Sequence, residues 1–171
     1  MCHFITLVAA TADVAALDAR MRGHGRRALV AQNPSVEAAL KSGEYQYLTT
    51  TKCDCGTVFA PTLPPKEPTD RVDALRRKGW SEAKIGRAMA AAIEAAEKKS
   101  FEPLDSVERW REILLDLLHG MKLKSVGILV HAYEGSIATE RFDASRAEVR
   151  ADMLGEALMN LGEDRLMTVS T

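Results

Sequence analysis

Alternating apolar and polar positions open the chain and predict a β-strand from Cys2 to Val8, because every second side chain of a strand shares one face. Apolar residues at helical spacing then predict a helix from about Asp13 to Met21. Ala28 to Gln32 and Glu44 to Thr51 predict two further strands, rich in β-branched or aromatic residues. The most continuous apolar run, Ser125 to Tyr133, predicts a strand at the centre of a sheet.

The middle of the chain changes to helical periodicity after a proline-rich stretch. Residues 56–68 are predicted to form a loop, because proline cannot continue a strand or a helix. Residues 69–100 predict a helical hairpin or arm that is broken at Gly79. A further amphipathic helix is predicted to begin at Ser106 and to end near Gly120.

The C-terminal part of the chain carries weaker patterns. Ile137 to Phe142 predicts a strand that forms a hairpin with the central strand, and Glu148 to Leu161 predicts a helix. Arg165 to Val169 predicts the last strand. Together the segments predict an α+β fold with a ferredoxin-like β-α-β-β-α-β sheet, an inserted helical arm and a C-terminal extension. The whole chain, residues 1–171, is expected to form a single domain.

Composition narrows the class of protein. The 171 residues are 46% hydrophobic and 27% charged, with a formal net charge of −1, which is typical of a globular protein. This balance argues against extensive binding to nucleic acid or to an acidic membrane surface. The chain has no apolar run long enough to span a bilayer, and its N-terminus lacks the basic region of a signal peptide. Three cysteines without an export signal favour reduced thiols and a cytoplasmic location.

Cysteine and histidine residues supply the one chemically suggestive pattern. In the predicted sheet the first strand has the third and fourth strands as antiparallel neighbours, so the start of the first strand lies beside the ends of the other two. Cys2 and His3 occupy that start, Cys53 and Cys55 follow the third strand, and His131 is near the end of the fourth. Zinc prefers four such nitrogen and sulfur ligands. We therefore predict a metal site, with zinc as the expected ion, at this rim of the sheet.

Two other interpretations of the cysteines remain open. Free cysteines are often small buried hydrophobic residues, so all three could simply pack at strand ends. Alternatively the thiols carry the chemistry, either as a redox disulfide between Cys53 and Cys55 or with Cys2 as a nucleophile and His3 or His131 as its base.

Two resemblances rest on short motifs. Met1-Cys2 resembles the opening of class II glutamine amidotransferases, which use an N-terminal cysteine, although His3 here replaces their glycine. The opening Met-Cys-His-Phe-Ile, together with the Cys-Asp-Cys-Gly-Thr motif at 53–57, resembles a group of small bacterial proteins over about the first 60 residues. This second resemblance implies a bacterial origin and transfers no activity.

Two basic segments could in principle bind nucleic acid, but a structural interpretation is favoured for each. The segment from Leu75 to Met89 resembles the first half of a helix-turn-helix, but the helical pattern continues past Met89 without the turn that a recognition helix needs. The run from Arg20 to Arg27 could bind an anion, an acidic partner or RNA, although cations at a helix C-terminus are stabilised by the helix dipole. An αα-hairpin and a solvated turn are the favoured interpretations.

Two function classes follow from these observations. The first is a small bacterial cytoplasmic protein that binds a protein partner without catalysis, such as a regulatory or immunity-type protein. The second is a metal- or thiol-dependent enzyme centred on Cys2, His3, Cys53 and Cys55. The sequence does not decide between them, nor does it give the oligomeric state.

Overall fold

The computed structural model describes residues 2–60, 68–98 and 104–171. The chain divides into two compact units, Met1–Pro61 with Pro103–Thr171, and Thr62–Glu102. Residues 61–67 of the predicted proline-rich loop, and residues 99 and 100 of the predicted arm, lie outside the described residues.

The larger unit is an α+β structure built on a six-stranded mixed sheet. Its strands are β1 (Cys2–Ala9), β2 (Leu29–Val30), β3 (Tyr45–Leu48), β4 (Ser125–Tyr133), β5 (Ser145–Val149) and β6 (Arg165–Ser170). The strand order is β2-β3-β1-β4-β6-β5. All neighbouring strands are antiparallel except β5 and β6, which are parallel. The six-strand order does not confirm the specific ferredoxin-like arrangement, but β1 does lie between β3 and β4.

This unit contains four α-helices among its described residues. Three of them begin after a residue whose side chain caps the helix, and the fourth begins after a 3₁₀ turn. They are α1 (Val14–Gly23), α2 (Pro34–Ala39), α5 (Val107–Leu115) and α6 (Leu154–Met159). Asp13 caps α1, Asn33 caps α2 and Ser106 caps α5, each by accepting backbone N–H groups of the first turn. The last helix follows a 3₁₀ turn, and α5 continues into a short π-helix that ends at Gly120.

The main hydrophobic core lies on one face of the sheet, where α1, α5 and α6 pack. Alternate residues of β1, among them Ile5 and Leu7, point into this core together with Leu17 of α1 and Trp110 of α5. A smaller cluster on the opposite face includes Val8 of the same strand. β1 is therefore covered on both faces, and its residues from Ile5 to Ala9 are all buried, so the predicted alternation is not seen in its burial.

The smaller unit consists of two helices, α3 (Pro68–Arg77) and α4 (Glu82–Lys98). Gly79 has a φ of +75° in the turn between them, a conformation that glycine adopts without steric cost. Helix α4 runs without interruption past Met89. The pair is therefore an αα-hairpin, and the described part of α4 contains no second turn of the kind a recognition helix requires.

Two C-terminal predictions are wrong. Ile137 to Phe142 forms no strand, and the helix predicted over Glu148 to Leu161 is confined to α6. The missed strand is β5, a sheet edge with alternating polar residues such as Arg146 and Glu148. Polar residues at an edge strand give little hydrophobic periodicity, so the segment resembles the start of a helix.

None of the helices in the described residues combines the length and the apolar character needed to cross a membrane.

Candidate thiolate metal site

The pairing of β1 with its neighbours brings the two cysteine segments together. β3 pairs with the second half of β1, with Leu48 opposite Thr6. Beyond β3 the chain continues along β1 toward its start, since Thr49 N–H donates to the carbonyl of Ile5 at 3.3 Å and Asp54 N–H donates to the carbonyl of His3 at 2.8 Å. Residues 53–55 therefore lie beside the first residues of β1.

Three thiols meet at this rim of the sheet. The Sγ atoms of Cys2, Cys53 and Cys55 all lie within 4.8 Å of one another. Cys2 and Cys53 are exposed, Cys55 is half-buried, and all three are free. Cys55 Sγ also accepts a hydrogen bond from the backbone N–H of His3 at 3.3 Å. The interpretation of the cysteines as buried packing residues is therefore wrong.

Asp54, between two of the cysteines, fixes the position of the loop. Its side chain is fully buried and accepts the backbone N–H of Ile5 at 2.8 Å and the Arg26 guanidinium at 2.6 Å. The Thr49 hydroxyl donates to both oxygens at 3.3 and 3.4 Å. Because this carboxylate turns into the protein, it is not a metal ligand, and it holds Cys53 and Cys55 at the surface.

Arg26 links this anchor to the rest of the core. Its guanidinium also pairs with Asp105, and it stacks over the Trp110 ring at 4.8 Å. Asp105 in turn accepts the Trp110 Nε1–H at 2.5 Å and the backbone N–H of Val58 at 2.9 Å. A buried ionic network with its hydrogen bonds satisfied is expected to be rigid. The loop that carries Cys53 and Cys55 is therefore fixed on its buried side by Asp54 and Arg26.

Cys53 and Cys55 differ in the direction in which their pKa is shifted. The backbone N–H and the thiol of Cys55, with a smaller contribution from the Cys2 thiol, lower the pKa of Cys53. Burial raises the pKa of Cys55, and the neighbouring sulfurs of Cys53 and Cys2 raise it further. Cys53 is therefore expected to ionise before Cys55, and its thiolate is stabilised by hydrogen bonds from the other two thiols.

The arrangement fits a soft metal ion. With Zn–S bonds of about 2.3 Å, tetrahedral coordination places sulfurs about 3.8 Å apart and trigonal coordination about 4.0 Å apart. The longest separation allowed by the 4.8 Å limit would need to shorten by about 1 Å, which the exposed side chains of Cys2 and Cys53 can supply by rotation. Thiolates select soft ions such as Zn²⁺ and Cu⁺.

The two predicted histidine ligands are engaged elsewhere. His3 Nε2 lies 3.0 Å from Glu163 Oε1. The buried His131 lies between two carboxylates, with Nδ1 at 2.5 Å from Asp164 and Nε2 at 3.3 Å from Glu140. The structure thus brings together three of the five predicted ligands, and neither histidine belongs to the group of close ligand atoms.

Two clefts adjoin the thiols. Cys2, Phe4 and Tyr133 contribute to a cleft of about 550 Å³. Cys53 lines a smaller cleft of about 280 Å³ together with Thr57, whose buried hydroxyl has no hydrogen-bond partner among the described residues. A metal or a thiolate at this rim is therefore accessible to small molecules from two sides.

The basic run from Arg20 to Arg27 is not a free cationic surface, because each cation pairs with an aspartate. Arg20 and His24 bind Asp116, and Arg22 and Arg27 bind Asp18. Arg26 binds Asp54 and Asp105. Sequence reasoning singled out these basic residues as a surface and missed their structural role. Asp54, Asp105 and Asp116 are distant in the sequence, but Asp18 lies four residues before Arg22 and its spacing could have indicated that pair.

The chain matches no protein family, and comparison with curated proteins and with solved structures finds no similar protein.

Proposed function

We propose that this protein binds one soft metal ion, zinc in the first instance, through the thiolates of Cys2, Cys53 and Cys55. The observation that carries the proposal is the convergence of three thiols within 4.8 Å on a loop that the buried Asp54 holds in place. Soft divalent ions bind thiolates more strongly than the hard ions Mg²⁺ and Ca²⁺ do.

The proposed role of the site is to bind an exchangeable metal ion rather than to hold a permanent structural one. Structural zinc sites usually close four protein ligands around the ion, whereas three protein ligands leave one position for water or an external ligand. Two of the three thiols are exposed, which favours exchange of the ion with the surroundings. A regulatory protein that senses or carries the metal fits these features. Binding of a protein partner, the role expected first from the sequence, stays a separate prediction.

The direct test is a titration of the reduced, untagged protein with Co²⁺ followed by Zn²⁺. Cobalt bound to thiolates gives a sulfur-to-metal charge-transfer band. Zinc that replaces the cobalt abolishes this band, because the zinc complex is colourless. We expect one ion per chain, loss of the band in each of the Cys2→Ser, Cys53→Ser and Cys55→Ser variants, and displacement by zinc. His3→Gln is the matched control, because His3 adjoins the site but its side chain contacts Glu163.

Two outcomes would overturn the proposal: a metal stoichiometry near zero, or serine variants that bind as tightly as the parent. A loss of affinity in His3→Gln equal to that of the serine variants would instead move the ligand set toward the one predicted from the sequence. Native mass spectrometry of the same samples reports the stoichiometry independently of the optical signal.

A second candidate, thiol-dependent chemistry at Cys53, is favoured by the environment of that thiol. The pKa of Cys53 is lowered, the side chain is exposed, and it lines the cleft that also contains Thr57. Reactive cysteines share these features. Turnover or a covalent adduct at Cys53 in metal-free protein, with no metal bound at equilibrium, would favour this candidate over the first.

We also propose that the strands β4, β1, β3 and β2 form a ferredoxin-like unit to which β6 and β5 are added. Their mutual order and antiparallel pairing support this description. A variant truncated after β4 that retained the pairing of the first four strands would test it, with amide hydrogen exchange as the measurement.

A further inference from the structure

Another cleft, distinct from the two beside the thiols, lies at the opposite rim of the sheet. It has a volume of about 470 Å³ and forms where β1 ends, β4 begins and β6 ends, with residues 41–44 on one side. Ala10 lines it just beyond β1, whose other end carries Cys2. The cleft therefore belongs to a different part of the surface from the proposed metal site.

Positive charge exceeds negative charge in this cleft by two. The charged lining residues are Lys41, Lys122, Lys124, Arg146, Glu44 and Glu148. The chain as a whole has a net charge of −1, so the excess is local. A concave surface with an excess of one sign of charge concentrates ligands of the opposite charge.

The two acidic residues are already occupied, which leaves two lysines without a carboxylate partner. Glu44 accepts two hydrogen bonds from Arg146, at 2.7 and 3.0 Å, and Glu148 pairs with Lys41. Lys122 and Lys124 form no ion pair among the described residues, and both are exposed. These two ammonium groups are available to an external anion.

A helix C-cap fixes the position of Lys122, which lines the cleft. Its φ is +53°, in the left-handed region, and it follows the helix that ends at Gly120. The backbone N–H of Leu123 donates to the carbonyl of Leu118 at 2.9 Å, so the positive φ belongs to the C-terminal cap of this helix.

A third observation concerns an unsatisfied donor. Arg146 Nε is buried and has no hydrogen-bond acceptor among the described residues; the carboxylate oxygen of Glu148 is 3.7 Å away. Buried donors are normally paired with protein, water or ligand. The hydroxyl groups of Ser42 and Ser170, which also line the cleft, are further hydrogen-bond donors for an anion.

We propose that this cleft binds a small phosphorylated molecule, with Lys122 and Lys124 as its principal charge partners. Lysine binds phosphate as a point charge, and surrounding hydroxyl and N–H groups complete the hydrogen bonding of its oxygens. The volume is of the size that accommodates a small molecule. The site does not depend on the metal site, because it shares no residue with it.

The test uses pyrophosphate as the probe and the full-length reduced protein, with two-dimensional amide NMR and calorimetry at low and at physiological salt. We expect saturable shifts confined to residues around 41–44, 122–125 and 168–170. Lys122→Gly should weaken binding about tenfold, since a hydrogen bond to a charged group is worth about 1.5 kcal/mol. It should leave the melting temperature unchanged or higher, because glycine relieves the positive φ. Lys124→Ser should weaken binding similarly.

Lys52→Ser is the control, because it removes an exposed lysine beside Cys53 at the other rim. It should leave the pyrophosphate affinity within twofold of the parent. Three outcomes overturn the proposal: no saturable shift at the cleft, equal affinity in Lys122→Gly and the parent, or an equal loss in Lys52→Ser. Saturable binding at the cleft by a polyglutamate peptide or by RNA, without binding of pyrophosphate, would also overturn the assignment to small phosphorylated molecules.

Discussion

Replacement of Asp54 separates the role of the anchor from that of the thiols. The carboxylate is fully buried and accepts hydrogen bonds from the Ile5 N–H, Arg26 and Thr49. Asp54→Ala leaves the Ile5 N–H without an acceptor and removes one of the two carboxylates that neutralise Arg26. It also opens a small cavity behind the thiol loop.

The magnitude follows from these contacts. Breaking a buried ion pair by removing one partner typically costs 3–5 kcal/mol. Arg26 keeps its second carboxylate, Asp105, so we expect about 3 kcal/mol of lost unfolding free energy for Asp54→Ala. Burial raises the pKa of Asp54 despite the hydrogen bonds from Ile5, Arg26 and Thr49, so the charged form is not strongly favoured. Asp54→Asn, which keeps one acceptor oxygen, should therefore cost only about 1–2 kcal/mol.

The assay is urea unfolding at neutral pH, followed by circular dichroism, on reduced protein with a chelator present. The chelator removes any contribution of bound metal, so the measurement reports the anchor alone. Asp143→Ala, at an exposed aspartate, is the control and should stay within about 0.5 kcal/mol of the parent. The reasoning is refuted if Asp54→Ala costs less than about 1 kcal/mol, or if Asp54→Asn is as damaging as the alanine variant.

Three further predictions test other contacts. Burial alone would raise the pKa of Glu44, but Arg146 and neighbouring donors lower it to about 2. The ionised Glu44 therefore contributes about 2 kcal/mol, after solvent screening, to the free energy of unfolding. This contribution is present above pH 4.5 and is lost as the pH falls toward 2. Glu44→Gln should remove this pH dependence from an acid-unfolding curve. Cys53, whose pKa is lowered, should be alkylated by iodoacetamide before Cys55, whose pKa is raised, in metal-free protein, as peptide mapping will show; equal labelling rates at the two thiols would contradict this. Gly127→Ala should cost about 1–3 kcal/mol in a thermal melt, because a Cβ there would lie 2.2 Å from a backbone oxygen of β6. Gly155→Ala should not destabilise, because its Cβ would make only an ordinary contact, at 3.5 Å, with the Arg111 side chain.

The strands that position the site were predictable because their patterns are strong. β4 begins and ends where its apolar run does, and β1 begins at Cys2 as predicted and ends one residue beyond Val8. The antiparallel neighbours of β1 placed Cys2 beside Cys53 and Cys55 before any distance was known. The principal elements of this site are thus encoded locally, in strand periodicity and in the spacing of the cysteines along the chain.

The histidines and the anchor were not predictable in the same way. His131 shares the end of β4 that was expected to face the thiols, but Asp164 and Glu140 surround its ring. A sequence shows which residues reach one rim of a sheet, but not which of several acceptors each side chain binds. The role of Asp54 was missed for the same reason, since its partner Arg26 lies 28 positions earlier.

The anchor also determines how metal binding and folding are related. In a zinc finger the ligands are brought together by the metal, and the free energy of binding is used to fold the chain. Here the loop is held by protein groups: Asp54 binds the backbone of β1 and Arg26, and Arg26 is fixed by Asp105 and the Trp110 ring. The thiols are thus close before an ion arrives, so binding loses little free energy to ordering of the loop. It follows that an ion bound as proposed could leave without unfolding the sheet, which is the property that a protein needs if it senses or exchanges a metal.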